Sequence, residues 1–124
     1  MRLRFIFGTC EVIAELDENK APMTVDAIRK CLPIKSVVNR WGDEIYFETP
    51  VKITADENSK DVVEEGDVAF WIPGKAICIF FGKTPISDEK IRPASAVNVF
   101  GRIKEGLELL KGIKSGTKVI VQID

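Results

Sequence analysis

Apolar residues recur at every second position over much of the chain, the period of a pleated strand whose successive side chains point to opposite faces. Leu3, Phe5 and Phe7 alternate with Arg2 and Arg4, and beyond Gly8 the set Cys10, Val12, Ala14 and Leu16 alternates with Glu11, Ile13 and Glu15. These runs predict a hairpin with one wet face. The period then changes: Ala21, Val25, Ile28 and Leu32 fall at i, i+4, i+7 and i+11, the stripe of an amphipathic helix. Pro22 suits its first turn, Arg29 and Lys30 suit the negative end of its dipole, and Pro33 stops it.

A second strand pair is predicted over residues 36–41 and 45–52, joined at Gly42-Asp43, where glycine tolerates the positive φ of a tight turn. Residues 53–61 lose the pattern and gather polar side chains, which predicts a surface loop. Residues 67–72 and 76–81, separated by Pro73-Gly74, are short and rich in β-formers, the signature of central strands buried on both faces. Residues 83–96 hold two prolines and no period; loops of this length in compact domains are often functional. Val97, Val99 and Ile103 then describe a strand that turns into a helix at Leu107 and Leu110, ended by Gly112, and Val119, Val121 and Ile123 form a last strand. The expected architecture is mainly β, a closed eight-stranded antiparallel barrel capped by two α-helices, in which closure removes exposed edges.

A chain of 124 residues fits one domain, 1–124, able to bury roughly two-thirds of its unfolded surface. With 18 basic and 19 acidic residues the net charge is −1, so the long-range attraction that marks nucleic-acid binders is missing. Phe5-Ile6-Phe7 is too short for the apolar region of a secretion signal, and residues 76–81 are far short of a membrane span. A cytoplasmic protein with no nucleic-acid or membrane partner is expected. Cys10, Cys31 and Cys78 are widely spaced in apolar contexts and read as reduced core thiols. With no histidine and no paired cysteines, and with Asp56, Glu57 and Asp61 outside calcium-loop spacing, no metal or cofactor is expected. Gly82-Lys83-Thr84 has the tail of a phosphate-binding loop, but Ile77 stands where its first glycine belongs. Asp43-Glu44 and Asp88-Glu89 read as solvated turn acids rather than a carboxylate pair for acid-base work.

Three segments carry a family resemblance. Ala21-Pro22-Met23-Thr24-Val25-Asp26-Ala27 is similar to the Ala-Pro-x-Thr-Val-x-x-Phe of cyclophilins at their first helix. Ile77-Cys78-Ile79-Phe80-Phe81 is placed like their Gln-Phe-Phe-Ile strand, and residues 99–106 match their Val-Phe-Gly-basic-aliphatic-x-Glu-Gly string. The length and the Trp41-Gly42-Asp43-Glu44 turn resemble the small prokaryotic cyclophilin-like domains more than the full-length enzymes.

The resemblance implies a peptidyl-prolyl cis-trans isomerase, chemistry that needs neither histidine nor an activated thiol. The barrier, roughly 18–20 kcal/mol of amide resonance, falls when an apolar slot holds the proline ring and a donor meets the amide nitrogen as it becomes pyramidal. Arginine is the family's donor, and Arg40 is the only arginine on the matching strand. Ungapped alignment on Gly42 puts that position near Val38, which shares a strand face with Arg40. The groove so implied has Arg40 as catalytic residue and Tyr46, Phe81, Val38 and Ile79 as ligand-binding residues, with a proline-containing peptide or another small ligand as partner. The family's glutamine is missing from residues 76–81, and its Trp and His are missing from residues 83–96. Two other readings stand beside this one: a non-catalytic module binding a ligand or protein in the same pocket, and an interaction protein acting through an exposed edge or residues 85–93.

Overall fold

A computed structural model describes residues 1–124. The first hairpin forms as its alternation requires: β1 (Arg2–Phe7) pairs β2 (Cys10–Leu16), with Leu3, Phe5, Phe7, Val12, Ala14 and Leu16 all turned into the core. Helix α1 (Pro22–Cys31) starts at its proline and ends before Pro33, with Leu32 extended, as a residue preceding proline prefers. Ala21 offers no side-chain cap, and the carboxylate of Glu57 substitutes for one, accepting the N–H groups of Met23 at 3.0 Å and Thr24 at 2.7 Å.

The predicted strand over residues 36–41 is two short strands, β3 (Ile34–Val37) and β4 (Asn39–Trp41), meeting at the buried Val38. The hairpin continues with β5 (Glu44–Glu48). Within the expected loop, β6 (Ser59–Lys60) forms a two-residue ladder with Val97 and Asn98. Then come β7 (Asp67–Trp71), β8 (Ala76–Phe80), β9 (Val97–Glu105) and β10 (Lys118–Ile123). The expected second α-helix is a 3₁₀ helix, Leu107–Gly112, entered from Gly106 in the left-handed region. Two of its three leucines, Leu107 and Leu110, are three apart, and that spacing stacks them on a three-residue turn, while Leu109 is exposed.

All pairings are antiparallel, in the order β3-β10-β1-β2-β9-β7-β8-β5-β4. The two ends of this order are consecutive in sequence, so the segment 34–41 pairs β10 with its first half and β5 with its second. Val38 joins them, donating to Thr117 O and accepting from Gly116 N, each at 2.8 Å. The result is a nearly closed antiparallel barrel, as expected. Phe5, Phe47, Phe70, Phe81 and Phe100 fill the interior together with Val25 and Ile28 of α1 and Leu110 of the 3₁₀ helix.

The strands β7 and β8 are buried on both faces, because a second apolar layer lies outside the barrel. There Ala69, Cys78, Phe80 and Val97 pack with Val63, flanked by Tyr46, Trp71 and Ile91. Residues 83–96 lie over this outer face.

Candidate functional site

Strand alternation on the β4–β5 hairpin sorts its side chains into two environments. Ile45 and Phe47 enter the barrel, so Glu44 and Tyr46 face outward, and register sets Trp41 opposite Glu44 on one side and Phe80 opposite it on the other. Tyr46 likewise lies opposite Cys78, which is followed on β7 by Ala69. The hairpin tip is fixed against the start of the covering loop: Asp43 N donates to Lys83 O at 2.9 Å, and Phe81 N to Asp43 O at 2.9 Å. Gly42, at φ +62°, permits that approach, since a Cβ there would lie 2.9 Å from Lys83 O and from Pro85 Cδ.

The covering loop is held by its own polar network. Ser87 Oγ accepts the N–H groups of Thr84 at 2.9 Å and Arg92 at 3.0 Å, while Thr84 Oγ1 donates to Arg92 O. Val63 and Ile91 form an isolated β-bridge, and Trp71 Nε1 donates to Ser95 Oγ at 2.7 Å. Between loop and barrel remains a cavity of about 130 Å³. Its walls are the rings of Trp41, Tyr46 and Trp71, its rim is Pro93 and Ala94, and Glu44 and Cys78 enter it as the polar groups.

Glu44 is 5% exposed, and no Lys, Arg or amino terminus lies within ion-pair distance of it. Burial pushes its carboxyl up to about 7, against a smaller downward pull from the Cys78 thiol. That thiol is itself driven well above its ordinary value, first by burial and then by the adjacent charge of Glu44. The pocket therefore holds a carboxyl that gains or loses its proton near neutrality, walled by aromatic rings. No three of the Cys, Asp and Glu side chains converge as a metal site would need.

The residues expected to form a groove are divided by the barrel wall. Val38, Ile79 and Phe81 are interior, each at most 1% exposed. Arg40 does turn to the same side as Val38, with its Cζ 5.0 Å from the Phe81 ring centroid. Its guanidinium is engaged there: Nε donates to Gly42 O at 2.9 Å, Nη1 to Lys111 O at 2.7 Å and Ile113 O at 3.0 Å, and Nη2 meets Asp43 Oδ1 at 3.1 Å. The arginine thus ties the β4–β5 turn to the end of the 3₁₀ helix. Only Tyr46 of the five lines the outer pocket.

Glu44, which sequence reasoning left as a solvated turn acid, is the residue it missed. A signal existed, because the alternation that sends Ile45 and Phe47 inward sets Glu44 beside Tyr46. A larger cleft of about 770 Å³ runs past Glu15, Lys20, Lys60, Asp67 and Arg102. Its central charges neutralise one another, Arg102 Nη1 lying 3.1 Å from Glu64 and 2.9 Å from Asp67.

Comparison with known proteins agrees with this fold. The chain is 64% identical to a hypothetical protein from Archaeoglobus fulgidus known from a solution structure, with a TM-score of 0.88 over 100% of this chain and 95% of that one. McbB, solved in complex with tryptophan, shares the fold at 14% identity and a TM-score of 0.78, over 98% of this chain and 44% of its own. A search of curated proteins finds no match. No helix is long and apolar enough to cross a membrane. The cyclophilin-like family model matches residues 1–122, and the chain belongs to the cyclophilin-like family.

Proposed function

We propose that this protein is a non-catalytic binding module that seats a small ligand in the outer pocket between the β4–β5 hairpin and residues 83–96. One observation carries the reading: the carboxyl of a glutamate only 5% exposed, without a cationic partner, opens into a cavity lined by Trp41, Tyr46 and Trp71. Burying an ionisable group costs free energy unless it is paired, and a site that tolerates this cost with a cavity beside it is the default place for a ligand. Prolyl isomerisation would instead need a donor free to meet an amide nitrogen, and the guanidinium of Arg40 already has four acceptors.

The test uses the chain's two tryptophans, both of which line the pocket. Native mass spectrometry of protein purified gently from its host should reveal a bound small molecule, and its removal should change the tryptophan emission. Exchange of an Xaa-Pro peptide should proceed at the same rate with and without the protein. An acceleration that disappears in a folded Arg40→Ala variant would restore the isomerase reading instead.

A further inference from the structure

We propose that the pocket recognises a positively charged nitrogen, a protonated amine or alkylated ammonium, seated against Glu44 between Trp41, Tyr46 and Trp71. This assignment rests on the binding-module reading above and adds the chemical class of the ligand.

The argument starts from charge. A carboxylate withdrawn from water and lacking a counter-ion attracts a cation more strongly than it would at the surface. The protein supplies none: Arg40 is turned to the barrel interior, and Arg92, on the covering loop, pairs with Asp88 at 3.0 Å. An anionic ligand would meet repulsion, and a neutral one would leave the carboxylate without compensation.

The walls point the same way. The faces of Trp and Tyr carry negative potential and attract ammonium groups, most strongly where water is excluded. Trp71 is held in place by Ser95 at its Nε1 and by Gly74 against its ring, where an added Cβ would come within 2.6 Å of Cε3 and Cζ3. The fit is also one of size, since the cavity of about 130 Å³ leaves room beside Glu44 for a compact head group.

A cation held this way binds the ionised carboxyl, so its affinity must rise with pH through the range where Glu44 gives up its proton. The other groups facing Glu44 leave this dependence to it. Cys78 on β8 holds its proton well above neutrality, Asp43 is bound to Arg40, and Tyr46 and Trp71 present rings. On the loop, Arg92 is paired and Lys83 is exposed.

Choline and its uncharged carbon analogue 3,3-dimethylbutan-1-ol are the probes, titrated against tryptophan emission at constant ionic strength. Choline is expected to bind, and more tightly by about tenfold or more at pH 8.5 than at pH 5.5, while the alcohol binds more weakly and without pH dependence. Glu44→Gln should bring the two probes to similar affinity. Equal binding of both probes to the native chain, or choline binding that ignores pH, would overturn the cationic class and leave the pocket reading standing. No response to either probe, together with no small molecule in the host-purified protein, would overturn both.

Discussion

Replacing Glu44 by glutamine should stabilise this protein at neutral and alkaline pH while changing little in acid. In the folded state the carboxyl titrates near 7, against 4.5 for a free glutamate side chain, because burial disfavours its charged form. The folded chain therefore retains a proton that the unfolded chain has already released. Below 4.5 both states are protonated and Glu44 carries no penalty; between 4.5 and about 7 stability falls as pH rises, and above 7 the loss is complete. At about 1.4 kcal/mol per pH unit the full loss is about 3 kcal/mol. Glutamine has nearly the same shape and does not titrate, so the gap between variant and native protein should open across this window. Guanidinium unfolding from pH 4 to 8 reads it directly, and with a slope of about 3 kcal/mol per molar the midpoint of the variant should lie about 1 M higher at pH 8. Cys78, which senses the charge of Glu44, keeps its proton throughout this window, and the remaining titrations cancel in the difference. A gap that stays constant with pH, or a variant that is weaker at pH 8, would refute the claim that this carboxyl is buried without a cationic partner.

Arg40→Ala leaves the carbonyls of Lys111 and Ile113 without their donor and should lower unfolding stability by about 2–4 kcal/mol, with Arg40→Lys recovering little because one ammonium cannot span four acceptors. Glu57→Ala removes the distant cap of α1 and should cost about 1 kcal/mol, seen as faster amide exchange at Met23 and Thr24. Gly74→Ala should displace the Trp71 ring against which it packs, altering tryptophan emission and weakening choline binding while the barrel still unfolds cooperatively. Unchanged emission in that variant would show that Trp71 is not held by this contact.

The parts of the fold that rest on short-range pattern were legible in the sequence. Alternation in residues 3–16 gave the first hairpin, Pro22 and Pro33 bracketed α1, and the apolar runs at 67–72 and 76–81 announced strands buried on both faces. What escaped depends on partners far away in the chain. The carbonyls that occupy Arg40 lie 71 and 73 residues on, and the carboxylate that caps α1 comes from a segment that reads only as a polar loop. Leu107 and Leu110 satisfy both a 3.6- and a 3.0-residue period, so their spacing could not separate an α-helix from the 3₁₀ turn that forms. Glu44 stood in a Gly-Asp-Glu turn, where acids are usually solvated, and the residues that share its pocket include Trp71, Pro93 and Ala94, distant from it in the chain.

The division of labour between the two faces of the sheet is the reason the proposed site lies outside this barrel. Its interior is packed by phenylalanines from β1, β5, β7 and β9 together with the aliphatic core. An outer face alone would be a poor site as well, since a flat sheet surface does not exclude water. Here the loop 83–96 supplies the missing wall, anchored to the barrel by Asp43 N donating to Lys83 O at one end and by the Trp71–Ser95 contact at the other. Ile91 of the loop packs against the apolar cluster of Ala69, Phe80 and Val97, and the cavity beside it is lined by Trp41, Tyr46 and Trp71. A glutamate at that boundary is dry enough to be perturbed and close enough to the opening to meet a ligand. A leucine there would extend the outer apolar layer without any desolvation penalty, so the carboxyl is better explained by something it receives than by the stability of the fold.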